Sequence, residues 1–265
     1  MIELQGIRKV FNSGTVNEKV AIDNIDLKIE PGDFITVIGS NGAGKSTMLS
    51  VVAGFQSPDG GSVLFDGNDI TKMPEYKRAE FIGVVFQDPL SGTAKSLSIE
   101  ENMAIAAKRG SKRWFRMGVT AKRRAFFKGH LEQLGLGLEK RLKTNAGLLS
   151  GGQRQSLTLL MAAMANPQIL LLDEHTAALD PRTAGLVMGL TDKIIKDLGL
   201  TAMMVTHNMK QALDYGNRII MMHEGSVILD IKGKEKEGLT IPDLLDMFEK
   251  VRGEGLVDDK LLLSK

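Results

Sequence analysis

The sequence predicts an α/β fold with a mostly parallel core sheet and a smaller antiparallel β-subdomain at its edge. Three observations carry that expectation. Phe34-Ile35-Thr36-Val37-Ile38 is a mostly apolar run ending at Gly39, as a strand buried on both faces of a parallel sheet does. Ile169-Leu170-Leu171-Leu172 is a second such run, and it delivers Asp173 and Glu174 together at its C-terminal end. Ile2 to Ile7 and Ile22 to Ile29 instead alternate with a period near two, the pattern of half-buried antiparallel strands.

Composition narrows the class. A chain of 265 residues suits one large domain, or a domain with a subdomain. Hydrophobic content of 43% and charged content of 25% are those of a globular protein, which excludes disordered and fibrous classes. The absence of cysteine removes disulfides, thiolate metal sites and cysteine nucleophiles, and fits a reducing compartment. A net charge of +2 selects no partner. Met1 to Phe11 mixes Glu3 with Arg8 and Lys9 and lacks the apolar run of a secretory leader. The apolar stretch from Leu157 to Ala165 falls short of the roughly 20 residues that span a bilayer. The expectation is a soluble chain that can sit on a membrane.

Taken in order, Asn12 to Lys19 is a polar turn behind Phe11, between the two edge strands. The strand Phe34–Ile38 then runs into Gly39-Ser40-Asn41-Gly42-Ala43-Gly44-Lys45-Ser46, which fits G-x-x-x-x-G-K-[ST] and lies between a predicted strand and a predicted helix. Glycines there let successive backbone N–H groups turn inward around a β-phosphate. Lys45 can reach the β- and γ-phosphates, and Ser46 offers a hydroxyl to Mg²⁺. Charge-assisted bonds of this kind contribute about 1.5–3 kcal/mol each, enough together to hold a triphosphate.

Ser62 to Asp66 and Ile82 to Phe86 are further strands, with Gln87 at the end of the second, where a glutamine is either a turn residue or a site residue. Ser98 with Glu101 forms a capping box that opens a helix. Lys108, Arg109, Lys112, Arg113, Arg116, Lys122, Arg123, Arg124 and Lys128 follow without an intervening acid, interleaved with Trp114, Phe115, Phe126 and Phe127. Such a run reads as a solvated helix face, as a surface for anionic headgroups, or as a nucleic-acid contact.

Leu149-Ser150-Gly151-Gly152-Gln153 holds another capping box, Ser150 with Gln153, at the start of a helix carrying Leu157 to Met164. Two glycines in its first turn leave N–H groups uncovered at the positive end of the helix dipole, which suits an anion as well as it suits an ordinary capped turn. Asp173 is suited to holding Mg²⁺, and Glu174 to polarising an attacking water; paired acids at this place otherwise cap a loop. Asp180-Pro181 marks a helix start. Thr201 to Thr206 is a strand followed by His207, while His130, His175 and His223 read as structural. Arg218 to Met222 and Ser226 to Ile231 form a hairpin around Glu224-Gly225, and an amphipathic helix starts near Thr240. The tail from Gly253 carries no assignment.

In this order and spacing the motifs resemble those of the ATP-binding subunits of ABC transporters, over residues 1 to 250. By resemblance, Gly39 to Thr47 is the Walker A loop, Gln87 the Q-loop glutamine and Leu149 to Gln153 the signature motif. Ile169 to Asp173 is likewise the Walker B strand, Glu174 the catalytic glutamate, Ala178-Leu179-Asp180 the D-loop and His207 the switch histidine. The resemblance implies a P-loop NTPase with a RecA-like core plus β-subdomain in 1–87 and 167–232, an inserted α-helical subdomain in 88–166, and a C-terminal helix and tail in 233–265. It also implies ATP and Mg²⁺, with Ser46, Gln87 and Asp173 on the metal, Phe11 against adenine, and a head-to-tail homodimer sandwiching two ATP. Two departures stand out: His175 follows the glutamate where most relatives have proline, and Phe11 stands where a tyrosine is usual.

A cassette of this length resembles the subunit of a prokaryotic uptake system, peripheral on the cytoplasmic face of the inner membrane. Such a subunit works with transmembrane permease subunits and, through them, with an extracytoplasmic solute-binding protein. Phe86-Gln87-Asp88-Pro89, Asp173 to Pro181 and Tyr215-Gly216-Asn217-Arg218 resemble tryptophan/tyrosine-type uptake systems. The alternatives are an importer of another small solute and a non-transport ABC ATPase acting on nucleic acid or ribosomes; the coiled coils, zinc modules and second cassette of the latter are missing, so no nucleic acid is expected.

Overall fold

The computed structural model describes residues 1–110 and 118–252, with side chains through 250. Its elements are β1 (Ile2–Phe11), β2 (Lys19–Ile29), β3 (Phe34–Gly39), α1 (Lys45–Ala53), β4 (Gly60–Phe65), β5 (Asn68–Asp69), α2 (Glu75–Arg78), β6 (Ile82–Val85), α3 (Ile99–Ala106), α4 (Ala121–Glu132), α5 (Gly151–Ala163), β7 (Ile169–Asp173), α6 (Pro181–Leu198), β8 (Thr201–Val205), α7 (Met209–Asp214), β9 (Arg218–His223), β10 (Ser226–Lys232) and α8 (Ile241–Arg252), with three short 3₁₀ turns. They fall into two compact units, Met1–Arg78 with the chain from Thr201 onward, and Ala79–Leu200.

The first unit contains two kinds of pairing, as the hydrophobic patterns require. β1 and β2 bury alternate residues and pair antiparallel, Ile2 opposite Ile29 and Leu4 opposite Leu27, with β4 on the other side of β1. Period-two burial leaves one face wet, which an antiparallel sheet tolerates. β3 is buried along its whole length and runs parallel to β8 on one side and β9 on the other. β10 returns antiparallel to β9. Ile38, Met209, Ala212, Ile219, Met221, Ile231, Leu244 and Phe248 form one apolar cluster under α7 and α8.

One side chain the sequence does not single out secures this unit. Arg78, 1% exposed, has its guanidinium held by the backbone: all five N–H groups donate to carbonyls, of Met73, Val51, Val52, Ile70 and Thr71, at 2.6–3.1 Å. Two of these carbonyls, Val51 and Val52, belong to the last turn of α1, so a cation sits at the negative end of that helix. Gly54 closes α1 in the left-handed conformation, and a Cβ there would fall 2.8 Å from Arg78 Nε.

The second unit pairs β6 with β7 in parallel, Val85 opposite Leu172. Its helices bury a separate cluster that includes Ile99, Met103, Phe127, Leu131, Leu149, Leu157 and Leu160. The capping boxes expected at Ser98 and Ser150 are both formed, and Asp180 caps α6 with Pro181 in its first turn. α4 falls in the basic run, and three arginines of that run are engaged within the unit. Arg124 pairs with Glu100, Arg109 donates to the Ala162 carbonyl and Arg123 to the Gly118 carbonyl. Lys112, Arg113, Trp114, Phe115 and Arg116 lie outside the described residues. Among the described residues no helix is long and apolar enough to cross a membrane.

Candidate functional site

In the first unit the loop after β3 wraps around the Lys45 ammonium. Lys45 is 5% exposed, and its Nζ donates to the carbonyls of Gly39 at 2.7 Å and Ser40 at 2.9 Å. The glycines are required by contact as well as by conformation. Gly39 has φ +146° and its missing Cβ would lie 2.1 Å from the Met222 carbonyl on β9. Gly44 has φ +97° and would meet the Ala21 carbonyl at 2.2 Å. Gly44 is the N-cap of α1 and makes no side-chain cap hydrogen bond, and the positive end of the helix dipole lies at this loop. Ser40 and Ala43 are buried, Asn41, Gly42 and Ser46 exposed, and Thr47 half-buried.

Two other sequence-predicted residues belong to this unit. β3 and β8 run parallel with Val37 opposite Val205, so the loop at Gly39 and the turn carrying His207 leave the same edge of the sheet. Thr206 is buried and ties that turn down, its hydroxyl donating to Gln211 Oε1 at 2.8 Å and its N–H to the Val37 carbonyl, while His207 is exposed. Phe11 ends β1, half-buried, opposite Lys19. The Lys19 Nζ lies 3.1 Å from where a Cβ on Gly42 would sit, and Lys9 Nζ is 5.6 Å from the Phe11 ring centroid.

In the second unit the parallel pair β6 and β7 sends Gln87 and Glu174 out of one edge, where Gln87 Nε2 approaches Glu174 Oε2 at 3.5 Å. Asp173 and Glu174 are half-buried, and Glu174 has φ +41°. His175 is 2% exposed, and burial pushes its imidazole down to about 4, so the ring is neutral at physiological pH.

The pentapeptide Leu149–Gln153 is anchored from behind. Leu149 is in the core, and Arg154 donates to the carbonyls of Ala146, Gly147 and Leu149, fixing the turn that enters α5. Ser150 Oγ accepts from Gln153 N–H and Gln153 Oε1 from Ser150 N–H, each at 3.3 Å. Gly151 is exposed, with the Leu179 side chain 3.2 Å from its Cβ position. Gly152 is buried, and its Cβ position is 2.1 Å from Thr183 Cγ2, so this glycine admits the close approach of α6. Asp180 Oδ1 accepts from Thr183 N–H at 3.1 Å, and those bonds to Thr183 hold its carboxyl below the usual range. The sequence offers no pointer to Thr183 or Arg154: Thr183 is placed by the packing of α6 on Gly152, and Arg154 by the carbonyls of the turn that enters its own helix.

Residues 22–177 match the model of the family described as ABC transporter. The chain is 43% identical over 250 residues to the tyrosine transport ATP-binding protein of Clostridioides difficile (strain R20291), spanning 94% of this chain and 99% of that protein. It is 35% identical over 232 residues to the methionine import ATP-binding protein MetN of Corynebacterium glutamicum, covering 86% of this chain and 61% of that longer protein. The energy-coupling factor transporter ATP-binding protein EcfA2 of Clostridium perfringens is 29% identical over 273 residues, with 96% and 90% covered. Among solved structures, a dimeric ATP-binding cassette in a post-hydrolysis state bound to ADP and Pi superposes with a TM-score of 0.74 at 29% identity, over 88% of this chain and 98% of that one. Another cassette of an ABC transporter reaches a TM-score of 0.76 at 26% identity, over 94% and 98%. With the loop around Lys45, the strand-end acids and the capped Gly-Gly helix in place, this chain belongs to the ABC transporter family, as an ATP-binding and ATP-hydrolysing cassette.

Proposed function

We propose that the chain drives a prokaryotic uptake transporter for an amino acid of the tryptophan/tyrosine type. The observation that supports this most is its 43% identity along 99% of a protein named for tyrosine transport. Importing another small solute is the second reading, favoured by the methionine and energy-coupling-factor relatives. In this proposal residues 1–250 are one ATPase domain, with 88–166 its helical part and 233–265 a C-terminal helix and tail. Two copies pair head to tail on the cytoplasmic face of the inner membrane, beneath permease subunits that receive cargo from an extracytoplasmic binding protein. The basic segment Lys108 to Lys128 would face permease and lipid; a third of its length lies outside the described residues.

The residue roles follow from their chemistry. The N–H groups of Gly39 to Thr47 and the Lys45 ammonium would bind and neutralise the β- and γ-phosphates, and Phe11 would stack on the adenine. Ser150, Gly151, Gly152 and Gln153 of the second copy, with its Asp180, would close over the γ-phosphate from the positive end of α5. Glu174 would orient water and take its proton, and His207 would donate to the γ-phosphate. For Mg²⁺ the donors available are all oxygen: the Ser46 hydroxyl, the Asp173 carboxylate and the Gln87 amide. Among the described residues there is no group of three or more His, Cys, Asp or Glu able to hold a metal alone. A magnesium ion bound by one or two protein oxygens and phosphates needs no such cage, so the donor set fits. When bound, it neutralises charge on the leaving phosphates.

Two experiments test the reading. Glu174→Gln should bind ATP and dimerise yet turn over at least ~100-fold more slowly, the low end for losing a positioned base; wild-type turnover would remove Glu174 from this role. Uptake assays with the cognate permease and binding protein should show an aromatic amino acid as cargo. A binding protein that takes methionine or a sugar and no aromatic amino acid overturns the substrate.

A further inference from the structure

Glu174 has a backbone that residues with a Cβ seldom adopt, φ +41°, so its surroundings must hold it there. The loop supplies one bond, from Ala177 N–H to the Glu174 carbonyl at 2.9 Å. The next residue supplies another. His175 is buried, and its Nε2 lies 3.0 Å from Oγ1 of Thr191, about three turns into α6. Thr191 is wholly buried, and its hydroxyl donates to the Val187 carbonyl at 2.8 Å.

A hydroxyl has one proton to give, and Thr191 gives it to Val187. At the contact with His175 it therefore accepts, and Nε2 of the imidazole carries the hydrogen. The tautomer is fixed by the helix. An aliphatic side chain would fill the same space without burying polar atoms, so packing alone gives no reason for an imidazole. The hydrogen bond adds direction: it ties the residue after Glu174 to a rigid helix.

We propose that His175 is a positioning residue for ATP hydrolysis, whose Nε2–H bond to Thr191 anchors the chain just past Glu174 and so holds the left-handed backbone that aims the Glu174 carboxylate. Gln87 steadies the same carboxylate from β6, with its Nε2 at 3.5 Å. α6 also begins at Asp180, and its Thr183 packs on Gly152, so the bond makes Glu174 and the start of α5 parts of one body within this unit. The inference rests on the reading of Glu174 as the water-polarising group.

The test uses the purified full-length chain and measures kcat and KM for ATP alongside thermal unfolding, for His175→Leu, Thr191→Val, the double variant and His175→Gln. Thr191→Val keeps the shape of its side chain, so it remains informative where His175→Leu does not fold. Each single change should lower kcat roughly 10- to 100-fold, the size of effect that a small misplacement of a catalytic group has, with KM unchanged. The double variant should be no slower than the slower single one. His175→Gln keeps an N–H donor at similar reach and should recover most of kcat. Wild-type kcat in a folded Thr191→Val chain overturns the inference, as does a loss of thermal stability with kcat untouched. Wild-type turnover by Glu174→Gln instead overturns the reading of Glu174 itself, so the two failures are told apart.

Discussion

Replacing Gly152 by alanine separates the packing of the signature stretch from its chemistry. The added methyl would fall 2.1 Å from Thr183 Cγ2, about 1.3 Å short of the 3.4 Å at which ordinary contact begins. Thr183 has little freedom to retreat, because it is branched at Cβ and its N–H is bound to Asp180 Oδ1 at 3.1 Å. Overpacking of this sort costs about 1–3 kcal/mol, offset by about 0.5–1 kcal/mol for exchanging glycine in a helix. A net loss of about 0.5–2 kcal/mol lowers Tm by roughly 1–8 °C in a chain of this size. Thr183→Ser removes the obstructing methyl and leaves the backbone cap, so the Gly152→Ala/Thr183→Ser pair should regain most of that Tm. Thermal unfolding of the wild type, both single variants and the double variant is the assay. An unchanged Tm for Gly152→Ala, or a double variant no better than the single, would refute the steric reasoning. A double variant that regains Tm without regaining turnover would give Gly152 a second role, in closing over the γ-phosphate.

Arg78→Met should destabilise the chain by about 3–5 kcal/mol, the range for removing one partner from a buried charged network. It removes a donor from five carbonyls, two of them in the last turn of α1, of which, among the described residues, only Val51 and Ile70 keep a backbone N–H, from Gly54 and Met73; chemical denaturation would measure the loss. Glu100 is held below its ordinary 4.5 chiefly by its hydrogen bond from Arg124. Because the unfolded chain takes up the proton first, this pair's contribution is complete above pH 4.5 and is lost as pH falls through the lower folded value. Stability against pH should therefore be less steep below 4.5 in Glu100→Gln than in the wild type, and equal slopes would contradict the pairing. Lys45→Ala should abolish ATP binding measured by fluorescent analogue, while leaving the far-ultraviolet spectrum intact.

The local elements of this protein are legible in its residues because their causes are local. β3 is apolar throughout and β1 alternates, so one reads as a parallel interior strand and the other as an antiparallel edge. Ser98, Ser150 and Asp180 cap the helices they were expected to open, since a cap needs only the three residues that follow it. The motifs around Lys45, Ser150, Asp173 and His207 are legible for the same reason: each is a short run whose residue types stand at fixed close spacing. What only the tertiary structure decides is which surfaces those motifs meet. Gly39 and Gly44 are glycines because two distant strands place carbonyls against them. At Gly152, expected to leave an anion's approach open, a second helix also places a methyl where a side chain would stand. Arg78 among carbonyls and His175 on Thr191 show the same limit. A charged or aromatic residue announces that it needs a partner, but the partner lies many residues away and is chosen by packing.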